Sequence, residues 1–174
     1  CILPVNRITK LRRDEPTPII VNLESGLYNR LPQGDFDIVL DRNSNNPDEK
    51  SLEKLTAGVY LGELMRLMAE AAGEEGLLSP VTVENVRALG RFDAATVDAW
   101  ACGEQLSVCD NGEDAAFIAT AAQELFRRSA MAMCVNLIAI LMLTGEGTDS
   151  ERPVCICAEG SLVQKSRTYA PILR

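Results

Sequence analysis

A helical pattern of apolar residues runs almost without interruption through residues 113–143, and it constrains the fold more than any other feature of this chain. A helix of about thirty residues is long for a globular protein, so we expect a kink or break near Arg127, Arg128 and Ser129. The longest apolar stretch, residues 130–143, is interrupted by Asn136. It is shorter than the roughly 20 residues that a membrane span needs. The pattern therefore predicts a buried core helix and no membrane contact.

Shorter segments around this helix predict an α/β architecture. Residues 19–23 and 154–158 have the β-branched composition of buried strands, and residues 1–8 favour an irregular or edge strand because of Pro4. Apolar residues at helical spacing predict one helix from Ser51 that fades at Gly73. A shorter helix is expected after Ser79, which can cap it, and another over residues 94–100. Residues 26–46 should form an ordered loop with one or two helical turns. Strands at both ends with helices between them imply helices packed on a sheet.

Length, charge and composition narrow the possible chemistry. The 174 residues make one domain or one lobe, and the first residue, Cys1, suggests a piece cut from a longer protein. The net charge of −8 argues against nucleic acid and anionic membrane surfaces as partners. The chain contains no histidine, which excludes Ser-His-Asp and Cys-His mechanisms and argues against a zinc enzyme. Any catalysis here would depend on carboxylates or on positioning.

The cysteines predict reduced thiols in a cytoplasmic protein. Cys155 and Cys157 alternate along a predicted strand and would share one face. No histidine and no second cysteine pair completes a tetrahedral ligand set, so we expect no metal site. The six cysteines are then best explained as small hydrophobic residues.

Glu24 and Glu53 are the candidate ligand-binding acids. Glu24 follows the predicted strand of residues 19–23, and Glu53 lies in the first turns of the helix that begins at Ser51. Ligand crevices of open α/β sheets form at such strand and helix ends. An ionised carboxylate has two acceptor oxygens and can receive hydrogen bonds from two adjacent sugar hydroxyls. Without further evidence, the alternatives are a solvated acid at a strand end and a first-turn acid that interacts with the helix dipole.

Three segments resemble the hexokinase family. Residues 21–26 (Val-Asn-Leu-Glu-Ser-Gly) resemble the Asn-x-Glu-x-Gly segment that ends a strand in hexokinases. Residues 36–67, with Leu-Asp-Arg, Asn-Pro and Leu-Glu-Lys-Leu in order, resemble the family's acidic loop and the long helix that follows it. Residues 159–162 (Glu-Gly-Ser-Leu) resemble its Asp-Gly-Ser-Leu adenosine motif. The resemblance covers most of the chain and is sharpest over residues 19–67.

The resemblance implies a fold: residues 1–174 would form a single partial domain, the large lobe of an actin-like ATPase (ribonuclease H-like) fold with a mixed sheet packed with helices. The small lobe would be absent. It also implies that the parent protein transfers the γ-phosphoryl group of ATP, with Mg²⁺, to a hexose. Glu24 and Glu53 would bind the sugar, and Gly58, Gly160 and Ser161 would bind the nucleotide. The catalytic aspartate of the family lies on the small lobe, so this chain alone is expected to be inactive.

Two departures from the family pattern keep other interpretations open. Glu159 stands where the family usually has Asp, and Ala94 stands where a threonine contributes to the nucleotide pocket. A catalytically silent sugar- or nucleotide-sensing relative is therefore the first alternative. The second is an interaction protein that uses only the lobe. For Gly58 the local alternative is close helix packing, and a Gly-Ser pair such as Gly160-Ser161 is common in turns.

Overall fold

The computed structural model describes residues 2–4 and 18–173, with side chains described from residue 20 onward. Most of the described chain is helical. Its helices are α1 Asp35–Arg42, α2 Ser51–Thr56, α3 Gly58–Glu74, α4 Pro80–Ala88, α5 Ala94–Ala101, α6 Gly112–Thr144, α7 Ser161–Lys165 and α8 Tyr169–Leu173. Short 3-10 helices at Ser25–Leu27 and Leu106–Val108 complete the helical elements.

The described residues contain a two-stranded antiparallel sheet, and the predicted mixed sheet is not confirmed. Strand β1 (Ile2–Pro4) pairs with β2 (Pro18–Ile20), so that Ile2 lies opposite Ile20. The remainder of the predicted first strand lies outside the described residues. The second predicted strand stops at Ile20, because the chain then turns into the 3-10 helix Ser25–Leu27.

The strand prediction for residues 154–158 is wrong. These residues form no strand, and all of them are exposed. Their composition favours a strand, but a strand is stable only when a neighbouring segment pairs with it, and no described segment does so. Cys155 and Cys157 consequently lie in an exposed irregular segment, as free thiols.

The helix predicted from Ser51 to Gly73 is two helices. Ala57 has an extended backbone (φ −81°, ψ 135°) that ends α2 and places Gly58 at the start of α3. Two packing contacts hold this break. Ser129 Oγ on α6 donates to the carbonyl of Thr56 at 3.1 Å, and Gly58 packs so closely that a Cβ built on it would lie 3.2 Å from side-chain atoms of Ala94 and Leu162.

Helices α4 and α5 begin where the sequence predicts. Ser79 accepts a hydrogen bond from the amide of Thr82 at 3.2 Å and so caps α4. Asp93 accepts from the amides of Ala95 and Thr96, both at 3.1 Å, and caps α5. A cap of this kind contributes about 1 kcal/mol of helix stability.

Helix α6 is continuous from Gly112 to Thr144, so the predicted break near residue 128 is wrong, whereas a kink there stays a prediction. Its side chains at that point bond outward to other helices: Arg128 pairs with Asp37 of α1, and Ser129 bonds to α2. No residue after Ala130 in this helix is buried. The helix is long and apolar enough to cross a membrane by length and composition alone, a criterion that core helices of soluble proteins also meet. The absence of membrane contact stays a prediction.

The core lies where α3, α5 and the first half of α6 meet, with α8 packed against them. Leu61, Trp100 and Phe126 are among its largest fully buried side chains, and Phe126 makes an edge-on ring contact with Tyr169 of α8. This core holds the amino ends of α3 and α5 side by side. The predicted sugar-binding residue Glu53 and the predicted nucleotide-binding residue Gly58 lie on α2 and α3, which pack against this core.

Candidate functional site

Glu24 lies in an exposed turn immediately before the 3-10 helix Ser25–Leu27. Its backbone is left-handed (φ 47°), which costs a residue other than glycine roughly 1–2 kcal/mol. The side-chain amide of Asn22 donates to its Oε1 at 2.6 Å. Strained backbone of this kind is concentrated at functional positions, so the geometry supports a functional interpretation of Glu24.

Glu53 is half-buried on α2 and lies beside the turn that follows Glu24. A Cβ built on Gly26 would come within 3.2 Å of Glu53 Oε2, so the 3-10 helix rests directly on this carboxylate. The amide of Leu52 donates to the carbonyl of Tyr28 at 3.0 Å and ties the two segments together. The structure therefore places the segments of both predicted sugar-binding acids side by side.

Lys50 is an additional charged residue at this site. Its Nζ lies 3.3 Å from Glu53 Oε2, and its left-handed backbone (φ 54°) starts α2. The three-residue spacing of Lys50 and Glu53 at a helix start is a sequence signal that could have revealed this pair. An ammonium next to a carboxylate supplies a hydrogen-bond donor beside an acceptor, a combination suited to sugar hydroxyls.

An apolar cavity of about 550 Å³ adjoins Glu24. Its walls come from residues 23–31 and from the second half of α6, where Val135, Ala139 and Leu143 face the cavity. Glu24 contributes the charged group to this lining, whereas Glu53 does not line it. The sequence pattern did not predict this cavity, because the helical spacing of α6 does not show which segment lies opposite.

A second cavity, of about 430 Å³, brings together two of the three predicted nucleotide-binding residues. Gly58 and Ser161 both line it, together with Asp93, Ala94 and Lys165. Gly160 directly precedes Ser161 with φ 116° and ψ 157°, a conformation that glycine alone adopts readily. A Cβ on Gly160 would meet no atom within 4 Å, so its backbone conformation, rather than lack of space, requires glycine.

Asp98 shapes one wall of this second cavity. Its carboxylate accepts hydrogen bonds from Ser166 Oγ at 2.7 Å and from the amides of Arg167 and Thr168 at 3.1 Å. Burial by itself raises the pKa of Asp98, but these hydrogen bonds outweigh it and hold the pKa below its ordinary value. Asp98 thus stays ionised and fixes the segment after α7. No local pattern predicts this contact, because the partners lie far apart in the sequence.

The described residues contain no group of three Cys, Asp or Glu side chains arranged to hold a metal ion. A Mg²⁺ ion that arrives with a nucleotide usually keeps phosphate oxygens and water among its ligands, and it needs only one or two carboxylates from a protein. Asp93 and Asp98 line the second cavity and have the oxygen donors that Mg²⁺ prefers.

Comparison with known proteins decides the family. The family model described as Hexokinase matches residues 1–174. The chain belongs to the hexokinase family. It is 37% identical to hexokinase-1 of Saccharomyces cerevisiae over 75 residues, which are 40% of this chain and 16% of that protein. It is 41% identical to the hexokinase of Emericella nidulans over 54 residues, 29% of this chain and 11% of that protein.

A solved structure titled "Crystal structure of Hexokinase" shares the fold. Its TM-score with this chain is 0.75 at 20% sequence identity, and the match covers 98% of this chain and 39% of the other. The chain therefore spans well under half of that hexokinase, whose fold is actin-like. This hexokinase family member accordingly has the fold of part of an actin-like kinase.

Proposed function

We propose that this chain is part of an ATP-dependent hexose kinase, which transfers the γ-phosphoryl group of ATP to a hexose hydroxyl. Family membership supports the reaction class. The main structural support for a sugar site is that the turn after Glu24 packs against the Glu53 carboxylate. Two acids from distant parts of the sequence are thereby held on neighbouring segments.

In this proposal, Glu24 and Glu53 accept hydrogen bonds from the hydroxyls of one hexose. Each carboxylate retains acceptor capacity beyond the bonds described, since an ionised carboxylate has about four lone-pair sites. Lys50 contacts the carboxylate of Glu53 and Asn22 contacts that of Glu24, so each acid has a neighbour that orients it. Hydrogen bonds to charged acceptors contribute about 1.5–3 kcal/mol each, which is enough to select a polyhydroxylated ligand.

The nucleotide is proposed to bind in the cavity lined by Gly58 and Ser161. Gly58 lines the cavity without a side chain, Gly160 with its positive φ directly precedes Ser161, and the Ser161 hydroxyl can donate a hydrogen bond. Bound Mg²⁺ would neutralise charge on the phosphates. Lys165 in the same lining adds a positive charge for the nucleotide. Both substrates would then contact elements joined at Ala57, the sugar on α2 and the nucleotide on α3.

The general base that accepts the hydroxyl proton is proposed to lie outside this chain, as the family resemblance implies. Phosphoryl transfer depends on positioning several charged groups together. The 174 residues alone are therefore expected to be inactive. A cytoplasmic location likewise remains part of the proposal.

A coupled assay of the full-length protein with ATP and a series of hexoses tests this function. The proposal predicts ATP-dependent phosphorylation of at least one hexose. Binding of a hexose without turnover would favour the silent, sensing relative. Two residues keep that alternative in view: Ala94, which lines the nucleotide cavity where the family has threonine, and Glu159. No hexose binding and no turnover would contradict both.

A further inference from the structure

Lys54 is a buried lysine immediately next to Glu53. Only 3% of its surface is exposed. Its Nζ donates to Asp41 Oδ1 at 2.5 Å and to the carbonyl of Asn46 at 2.7 Å. Lysine is almost never buried unless it is paired, so this position is built around the ion pair. Asp41 is also buried, at the end of α1.

Asp41 also shapes the loop of residues 43–50 that leads into α2. Its second oxygen, Oδ2, accepts a hydrogen bond from the amide of Asp48 at 2.9 Å, and its carbonyl accepts from Ser44 Oγ at 2.7 Å. Asp48 (φ 64°) and Lys50 (φ 54°) both have left-handed backbone, which residues other than glycine adopt only when surrounding contacts hold them there. Asp41 supplies one such contact, because its carboxylate accepts the hydrogen bond from the amide of Asp48.

The loop and the ion pair both contact the first turn of α2, which carries Glu53. Lys54 points into the protein and holds the first turn of α2 against α1. Lys50, at the end of the loop, meets the Glu53 carboxylate from the other side. Buried ion pairs add little net stability, because desolvation of the two charges offsets their attraction, and one use of such pairs is to select a single arrangement.

We propose that Lys54 and Asp41 are positioning residues for the Glu53 carboxylate, holding it and Lys50 in the geometry that binds the sugar. This inference rests on the proposed function. It assigns to the pair a role in hexose affinity that is separate from its role in stability. Neither residue is proposed to touch the sugar or the nucleotide.

The test compares variants of the full-length protein by calorimetric hexose affinity, by the KM values for hexose and ATP, and by thermal unfolding. In the double variant Lys54→Met/Asp41→Leu, apolar side chains replace both charges, so no unpaired buried charge remains and the fold should be kept. Lys54→Met/Asp41→Asn also removes both charges, and it keeps an oxygen at position 41 for the amide of Asp48. The control, Arg66→Met, removes the ion pairs of Arg66 with Glu63 and Glu70 on α3, which do not contact the loop.

For the double variant we expect a melting temperature within about 3 °C of the unaltered protein. We expect its hexose dissociation constant to rise about tenfold or more, because small displacements of a binding group are costly. The KM for ATP should stay the same, and Arg66→Met should leave hexose affinity unchanged. If the Met/Leu variant does not fold, Lys54→Met/Asp41→Asn decides the question: a raised hexose KM with an unchanged ATP KM supports the proposal.

Two results would overturn it, and they are distinguishable. Unchanged hexose affinity in the folded Met/Leu variant, or an unchanged hexose KM in Lys54→Met/Asp41→Asn, would refute the positioning role alone. Failure of the unaltered protein to bind any hexose would refute the proposed function and, with it, this inference.

Discussion

Gly62 is the position where a single methyl group should disturb the fold most clearly. It lies on α3, and a Cβ built there would overlap the carbonyl oxygen of Phe92 and come within 2.8 Å of the carbonyl carbon. These are backbone atoms, so no side-chain rotation can relieve the contact. The substitution Gly62→Ala must therefore separate α3 from the segment that leads into α5. That segment carries Phe92, whose ring packs on Trp100 at a centroid distance of 5.0 Å.

Two effects of opposite sign determine the magnitude. Alanine is better than glycine in a helix interior by about 1 kcal/mol. Overpacking typically costs about 1–3 kcal/mol, and the upper end applies here because the backbone itself must move. The net expectation is a loss of about 2 kcal/mol in the free energy of unfolding. For a domain of this size, that loss lowers the melting temperature by about 4–8 °C.

Thermal and urea unfolding of Gly62→Ala measure this loss. Gly112→Ala is the matched control: Gly112 begins α6, and a Cβ there meets no atom within 4 Å. It should be neutral or slightly stabilising. A Gly62→Ala protein at least as stable as the unaltered one would refute the close-packing argument. Since Asp93 and Ala94 follow Phe92 and line the second cavity, the same variant should also raise the KM for ATP.

Three further expectations concern charge and the nucleotide cavity. Arg128→Met removes the bidentate partner of Asp37, a carboxylate that is only 3% exposed. The free energy of unfolding in urea should fall by about 1–2 kcal/mol, a value kept low because Arg128 is 38% exposed to solvent. An unfolding free energy equal to that of the unaltered protein would contradict this. Asp98 has a folded-state pKa below its ordinary value, so its contribution to stability is complete above about pH 4 and is lost as the pH falls through the lowered value. In Asp98→Asn, the free energy of unfolding should therefore decrease less steeply at acidic pH. An unchanged pH dependence would contradict the stabilising role of the Asp98 carboxylate. Gly58→Ala, which adds one methyl group beside Ala94 and Leu162, should raise the KM for ATP more than the KM for hexose. The reverse result would contradict a contact between Gly58 and the nucleotide.

The elements that the sequence predicted correctly are those with local causes. Ser79 is followed by Pro80 and a helical pattern, and Asp93 precedes Ala95 and Thr96, whose amides it caps. Each cap and the helix it starts lie within a few residues of one another. Local chemistry therefore determined these boundaries, and the sequence was sufficient to find them.

The errors arise where distant contacts decide the structure. The local signal for a break at Ala57 is one glycine, Gly58, which a helix can tolerate at a cost of about 1 kcal/mol. The contacts that hold the break come from Ser129 and Leu162, which are far away in sequence. Residues 154–158 have the composition of a strand, but composition does not show whether a partner strand is present.

In the candidate sites, too, residues with a local sequence signal were predicted and residues that depend on distant contacts were not. Glu24 and Glu53 were recognised from local segments that resemble a family. Their neighbours Lys54 and Asp41 were not, because a buried ion pair between residues thirteen apart has no local signature. Asp98 likewise meets its partners only in the folded chain.

Calorimetric titration of the full-length protein with its preferred hexose tests the central claim most directly. Glu24→Gln and Glu53→Gln should each weaken hexose binding by about 1–3 kcal/mol, roughly 5- to 150-fold, while the affinity for ATP stays the same. Hexose affinities of both variants equal to that of the unaltered protein would contradict the claim that these two acids bind one sugar.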